Sequence, residues 1–483
     1  MWRQKALHLD LGWTFDIDIM KDLKNYLILC FAVILTGCGK DFLDVKRTSG
    51  QVVPKTSKDC LAILGRENMY YTSSDLAYLG ADEYYVKNPA DLVAGSQYTP
   101  FHQYAYTWQD NPYGSLRNIK DWDLAYERIM YANLALDVES AASGQGETAN
   151  RDRVKVSARF HRAWNFYQLA QLFCRPYHEP TAGQDPGLPL RVDYDISVRY
   201  GRSSLKEVYD RILDDLKEAE NIRIVDDINP YMPGTTAVQA LLAKVYLQQG
   251  KFDMALRYAD IVLKKRSTLV DYNNLTGSIT DIYGSYFEPY GKNNPSIIFY
   301  SAAAVGGIIM PTRQNIDTLF TRSIEQQDLR GEIYFFTRPD GTKVYSGSYC
   351  GYGGNEFFTG LSVEEMLLIR AECSARAGSE KNALDDINLL RKNRFSHSSY
   401  RNLELGEIDD LLAYILGERK KELFMRGSRW EDARRLNQEG RYLVSFSRML
   451  DGVRYELAPG EKKWVWPIPQ SEIDANGIEQ NQR

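Results

Sequence analysis

Residues 237–263 read AVQALLAKVYLQQGKFDMALRYADIVL, and the fold turns on them. Ala237 to Gly250 carries apolar residues at helical spacing, Gly250 interrupts it, and Phe252 to Leu263 resumes it. Ala243, Ala255 and Ala259 are small where the two segments face each other. The stretch is therefore a helix pair hinged at Gly250, with alanines letting the backbones approach.

A second stretch repeats the arrangement. Met366 to Ala377 is followed by Gly378 and then by Asn382 to Arg391. Ala371 and Ala383 stand twelve residues apart, as Ala243 and Ala255 do. With Leu242 and Tyr246, the first pair falls close to the tetratricopeptide pattern. No such pair buries its apolar face alone, so stacking into a solenoid-like scaffold is expected. A further amphipathic helix is predicted after Ser203-Ser204. There Leu205, Val208, Tyr209, Ile212, Leu213, Leu216 and Ala219 recur at spacings of three and four, with Asp214, Asp215, Lys217 and Glu218 between them. Ile297 to Tyr300 reads as a short extended segment. Long stretches rich in Gly, Tyr, Asn and Pro separate the helices at 88–114, 175–201, 271–294 and 338–360. Loops of that length in a compact domain usually carry function.

The N-terminus indicates location. Lys21 and Lys24 precede an apolar run from Tyr26 to Leu35, which ends in Leu35-Thr36-Gly37-Cys38. This is the layout of a secretory signal, too short to cross a bilayer. Leu-x-Gly-Cys resembles a bacterial lipobox, in which the Cys38 thiol takes a diacylglycerol and becomes the mature first residue. Residues 1–19 place acids where a basic region belongs, and Met20 is a natural start. They are left out of the fold argument.

A net charge of −5 argues against a nucleic-acid partner, since tracking phosphates needs a basic excess. With 44% apolar and 25% charged residues, the composition is that of an ordinary globular protein. Of six cysteines, Cys60, Cys174, Cys350 and Cys373 remain beyond the signal and lipid site, and the sequence favours no pairing among them. None of His102, His161, His178 and His397 sits at metal-ligand spacing, and His161 reads as a packed residue. No nucleophile elbow or phosphate loop is present. Asp271-Tyr272-Asn273 begins like a calcium loop, but Leu275 and Thr276 break it. The chain holds 33 Tyr against 18 Phe and 8 Trp, a bias suited to a wet surface that grips something flat.

The C-terminal half carries the most specific strings. Glu418-Arg419-Lys420-Lys421-Glu422-Leu423, then Arg426-Gly427-Ser428-Arg429-Trp430-Glu431-Asp432, resembles the E-R-x-x-E-L…E-G-x-R-W-x-D signature of the SusD-like (RagB/SusD) outer-membrane lipoproteins. Trp466-Pro467-Ile468-Pro469 through Glu472-Ile473, with Asn476 and Gln480-Asn481, is similar to that family's tail. Asp41-Phe42-Leu43-Asp44, Arg159 to Ala163 and Gly187-Leu188-Pro189-Leu190 also match. Arg426 departs from the pattern, which usually has Glu there. Charges at Glu418, Arg419, Arg429, Asp432 and Arg435 read as structural pairs between helices.

The resemblance implies a mainly α fold with four tetratricopeptide-like helix pairs and a loop-built binding face. It implies capture of oligosaccharides, or in some members peptides, as a lid on a SusC-like TonB-dependent transporter. The expected location is the outer membrane, lipid-anchored at Cys38 and surface-exposed. Neither catalysis, cofactor nor metal is implied; a surface glycoside hydrolase is the alternative from another class. The expected organisation is leader and signal over 1–37, a tether over 38–60, and one domain over 61–483. Within that domain the N-terminal family region covers about 61–270 and the C-terminal one about 271–483. Two aromatic groups are candidates for the ligand face. The first is Tyr104, Tyr106, Trp108, Asn111 and Tyr113, where flat rings alternate with short polar groups. The second is Tyr283, Tyr286 and Tyr290. The alternative for the first is that Tyr104, Tyr106 and Trp108 pack inward and pin the loop.

Overall fold

The computed structural model describes residues 54–483 apart from 73–74, 88–89, 91–99, 142–147, 196, 223, 225–228, 305 and 352–355. Cys38, the signal and the tether up to residue 53 lie outside the described residues. The principal helices in chain order are α1 (Ser57–Leu64), α2 (Asp75–Gly80), α3 (Phe101–Tyr106), α4 (Lys120–Ala141), α5 (Thr148–Phe173), α6 (Leu205–Glu220) and α7 (Thr235–Gln248). They continue with α8 (Phe252–Lys265), α9 (Val363–Arg376), α10 (Glu380–Lys392), α11 (Leu411–Glu422), α12 (Ser428–Glu439) and α13 (Gln470–Asn476).

From α4 to α10 each helix packs on the next in the chain, and α11 also packs on α9. That continuous row is the scaffold expected from the sequence, and the chain is mainly α. In both hinged pairs the glycine takes a left-handed backbone, φ +70° at Gly250 and +76° at Gly378, which a side chain would strain. Ala243, Ala255, Ala371 and Ala383 are all fully buried. A larger residue at any of them would overpack the contact at a cost of about 1–3 kcal/mol.

Helix α6 starts where its sequence says. Ser204 accepts the Glu207 N–H, and Glu207 returns the bond to the Ser204 backbone, closing a capping box. All seven apolar residues of its predicted stripe are buried. Asp215, which reads from sequence as part of the polar face, is buried instead. It takes Arg162 of α5 through two bonds of 2.9 and 2.6 Å. Helix α1 begins inside the segment read as tether. Thr56 caps it and Cys60 is buried against α4 and α5, so residues 57–60 belong to the fold.

Buried charge ties the irregular segments to this scaffold. Arg330 is fully buried and donates to Asp328 (2.7 Å), Glu418 (2.8 Å) and Glu422 (3.2 Å). Arg394, just past α10, donates to Glu422 (2.8 Å) and to the Val270 carbonyl (2.7 Å), and Lys421 pairs with Glu418. Three cations thus meet three carboxylates. Burial alone would raise the Glu418 carboxyl; Arg330 and Lys421 overcome it and hold it at about 2. Removing one partner would strand a buried charge, costing about 3–5 kcal/mol.

The other charges of the C-terminal signature also pair. Arg419 meets Asp432 (2.7 Å), Arg435 meets Glu372 (2.6 Å) and Arg429 meets Asp82 (2.6 Å). Arg426, where the family pattern has Glu, finds Glu364 at 3.0 Å and lies over the Tyr349 ring. The terminal motif is a latch. Gln480 exchanges bonds with the Ile468 backbone, and Asn481 donates to the carbonyls of Phe173 and Trp466.

The cysteines left open by the sequence are four free, buried thiols. His161 is fully buried against Phe299, and desolvation holds its ring neutral, with its pKa lowered to about 3.

Candidate functional site

In the first aromatic group Tyr106, Trp108 and Tyr113 are buried and present no open ring face. Residues 101–106 are helical and Trp108 sits at φ +49°, so the alternation of Tyr104, Tyr106 and Trp108 in sequence is not an alternation of faces. Tyr106 and Trp108 are buried, with the Arg448 guanidinium 3.8 Å from one ring centre and 4.6 Å from the other. Arg448 in turn donates to the carbonyls of Leu79, Ala81 and Tyr106. The Trp108 indole N–H bonds to the Gly80 carbonyl at 3.1 Å, and the Tyr113 hydroxyl bonds to the Pro467 carbonyl at 2.7 Å. Tyr104 is half-buried beside Gly114, and exposed Asn111 donates to the Gly114 carbonyl. Tyr106, Trp108 and Tyr113 are thus pinned inward, while Tyr104 and Asn111 remain at the surface.

The second group divides. Tyr283 is exposed on a turn closed by the Ser278–Ser285 bridge, and Tyr286 turns its hydroxyl to Glu332 at 2.6 Å. Tyr290 goes elsewhere and joins tyrosines that the sequence does not bring together.

Tyr70 ends a one-turn helix (Glu67–Tyr70), and Tyr71 begins the strand Tyr71–Thr72. That strand runs parallel to Ala302–Ala304, which pairs antiparallel with Glu356–Phe358. In this register Tyr71 lies opposite Ala302, and Glu356 opposite Ala304, so all four share one face. The small alanines leave room across the middle strand, and the Tyr71 hydroxyl reaches Glu356 at 2.7 Å.

Around this edge the rings cluster. Tyr70 lies 5.8 Å from Tyr71, 5.5 Å from Tyr231 and 5.8 Å from Tyr300, and Tyr231 lies 5.1 Å from Tyr300. Tyr300 is the buried floor, while Tyr70, Tyr71 and Tyr231 are half-buried.

Tyr290 is 45% exposed and takes φ +60°. Its N–H bonds to the Cys350 carbonyl (2.9 Å), and its carbonyl accepts the Tyr231 hydroxyl (2.6 Å). A left-handed tyrosine costs about 1–3 kcal/mol and persists where surrounding bonds impose it, as at ligand clamps. The result is a tyrosine platform with a rigid base and a wet rim. Tyr70-Tyr71 is visible in sequence only as an adjacent pair. Its meeting with Tyr231 and Tyr290 depends on contacts far apart in the chain.

Three broader clefts, of about 590, 750 and 800 Å³, open elsewhere on the domain. Some of the charged side chains lining them are paired. Arg175 meets Asp185, Arg191 meets Glu472 and Lys421 meets Glu418. The second cleft also carries aromatic rings, with Tyr194 45% exposed and Tyr200 half-buried beside buried Trp122 and Tyr126.

The family described as starch-binding associating with outer membrane matches residues 41–247, and the SusD family matches residues 363–482, together more than half of the chain. SusD-like protein P2 of Formosa agariphila is 26% identical over 379 residues, covering 65% of this chain and 71% of that protein. A SusD superfamily protein of Bacteroides thetaiotaomicron shares the fold with TM-score 0.69 at 20% identity, over 89% of this chain and 100% of that one. A SusD-like carbohydrate binding protein of Bacteroides vulgatus does so with TM-score 0.63 at 19% identity, over 88% and 97%. With its signature charges paired across the helices and its tail latched by Gln480 and Asn481, the chain belongs to the SusD/RagB family.

Proposed function

We propose that this protein is a non-catalytic glycan-binding lipoprotein of the outer membrane. It captures oligosaccharides or polysaccharides at the cell surface and delivers them to a SusC-like TonB-dependent transporter. The tyrosine platform carries the reading. Tyr70, Tyr71, Tyr231 and Tyr290 offer ring faces to the C–H face of a sugar, and their hydroxyls meet its rim. The strained, exposed Tyr290 marks this rim as built for contact. Support also comes from the family matched over residues 41–247, described as starch-binding, and from the shared fold of a carbohydrate binding protein of Bacteroides vulgatus. The lipobox-like Cys38 supplies the anchor, and a shared membrane raises the effective concentration of a transporter partner.

The test is a binding survey of the soluble domain by calorimetry and affinity electrophoresis, with Tyr231→Ala and Tyr290→Ala variants alongside. Binding to at least one polysaccharide is expected. Each substitution should weaken it by about 2 kcal/mol, roughly 30-fold. Release of shortened products would favour the hydrolase, and binding of peptides in place of saccharides would favour peptide capture. Affinity untouched by both substitutions would refute the platform.

A further inference from the structure

The platform carries charge of one sign. Glu67 stands one turn before Tyr70 and is exposed. Glu356 accepts the Tyr71 hydroxyl, and its second carboxylate oxygen is buried without a hydrogen-bond partner. Glu288, two residues before Tyr290, is exposed and takes an amide from Asn293 at 2.7 Å rather than a cation.

The cations nearest in the chain are turned away or outnumbered. Arg66 directs its guanidinium at the Tyr131 ring, 6.0 Å away. Arg426 lies behind Tyr349 and Phe358 and is paired with Glu364. Lys292, two residues past Tyr290, is one exposed ammonium against three carboxylates. The pKa of Tyr70 is raised first by burial and then by Glu67, while that of Glu356 is raised by burial, with Glu67 adding to it and the Tyr71 bond opposing.

We infer that the platform selects by charge: it takes uncharged saccharide chains and turns away those bearing carboxylate or sulfate groups. The inference rests on the platform being the glycan site. A sugar ring stacked on Tyr70 or Tyr290 brings its equatorial substituents toward the exposed Glu67 and Glu288, while Glu356, with one oxygen on Tyr71 and the other buried, adds negative charge to the site. A hydroxyl there can donate to a carboxylate. A carboxylate or a sulfate on the ligand meets like charge at close range, which Lys292 alone offsets only in part.

The test compares matched polymers on the lipid-free protein: dextran with carboxymethyl-dextran, hydroxyethyl-cellulose with carboxymethyl-cellulose, and neutral galactan with its sulfated form. At low ionic strength the anionic member of any pair that binds should be about tenfold weaker or more. The gap should narrow in 0.5 M salt and in a Glu67→Gln/Glu356→Gln variant, which retains the Tyr71 partner. An anionic member that binds more tightly than its neutral match, and loses that binding in Tyr290→Ala, overturns the charge rule and leaves the platform standing. Neutral binding unaffected by Tyr231→Ala and Tyr290→Ala overturns the platform, and the charge rule with it.

Discussion

Replacing Trp108 by alanine tests whether residues 101–114 form core or ligand face. The side chain is 1% exposed, its indole N–H bonds to the Gly80 carbonyl at 3.1 Å, and the Arg448 guanidinium lies 4.6 Å from its ring centre. Truncating a fully buried tryptophan costs about 3–5 kcal/mol through lost burial and the cavity left behind. The Gly80 carbonyl loses its partner as well, and Arg448 loses one wall of its sandwich. A loss of about 4 kcal/mol is therefore expected. Urea unfolding followed by far-UV circular dichroism reads it without relying on tryptophan emission. Trp108→Phe keeps a ring beside Arg448 and gives up only the indole bond and some volume, so it should fall between the two. Saccharide affinity per folded molecule should match wild type in both. A Trp108→Ala protein with an unchanged unfolding midpoint and tenfold weaker binding would refute the core placement and restore the loop as a ligand face.

Glu83 predicts a pH effect of known sign. Its carboxyl is fully buried and is raised to about 7 by desolvation, against which the Met425 N–H at 2.7 Å is only a partial offset. The folded form holds this proton more tightly than the unfolded chain, so stability is highest below the ordinary 4.5 and is lost as pH rises through 7. At pH 8 the cost approaches about 3 kcal/mol, and the stability of Glu83→Gln relative to wild type should grow by that amount between pH 4 and pH 8. Cys174, Cys350 and Cys373 are each raised by burial to about 12, and Cys60 is fully buried. At pH 8 all four should resist alkylation until denaturant is added, as peptide mapping would show; rapid labelling of the native protein would contradict their burial. Cys38→Ala should release the protein from the membrane fraction and abolish palmitate labelling; a variant still membrane-bound without its transporter would refute the anchor.

Local periodicity made the scaffold legible. Gly250 and Gly378 stop helices whichever protein they occur in, and the seven apolar positions of α6 point inward because 3.6-residue spacing puts them on one stripe. Charge was harder. Asp215 reads as solvated until Arg162, on another helix, is known to face it, and Glu83 carries no local sign of burial. The loop at 104–108 misled for a specific reason. Alternation implies opposite faces only in extended chain, whereas here a helix ends and Trp108 turns left-handed. Of the platform, Tyr290 was visible as one of three tyrosines in a loop. Its partners at 70, 71 and 231 were not, since no spacing rule links residues that far apart.

Buried charge fastens the segments before and after Tyr290 in the chain. The platform's tyrosines come from separate segments, and Tyr290 lies on one with little regular structure. Such a segment would lose binding energy to ordering if it were free to move. Arg394 holds the Val270 carbonyl just ahead of it, and Arg330, Glu418 and Glu422 fasten the chain beyond it to α11. The Cys350 carbonyl then fixes the Tyr290 backbone directly. Hydrophobic packing alone would hold these segments as tightly, but it tolerates sliding, whereas ion pairs with defined geometry fix position. Stacking on a sugar depends on ring angle and spacing, so if the platform is the glycan site, as proposed, the charged signature would serve it at a distance, by holding the segments that carry its rings.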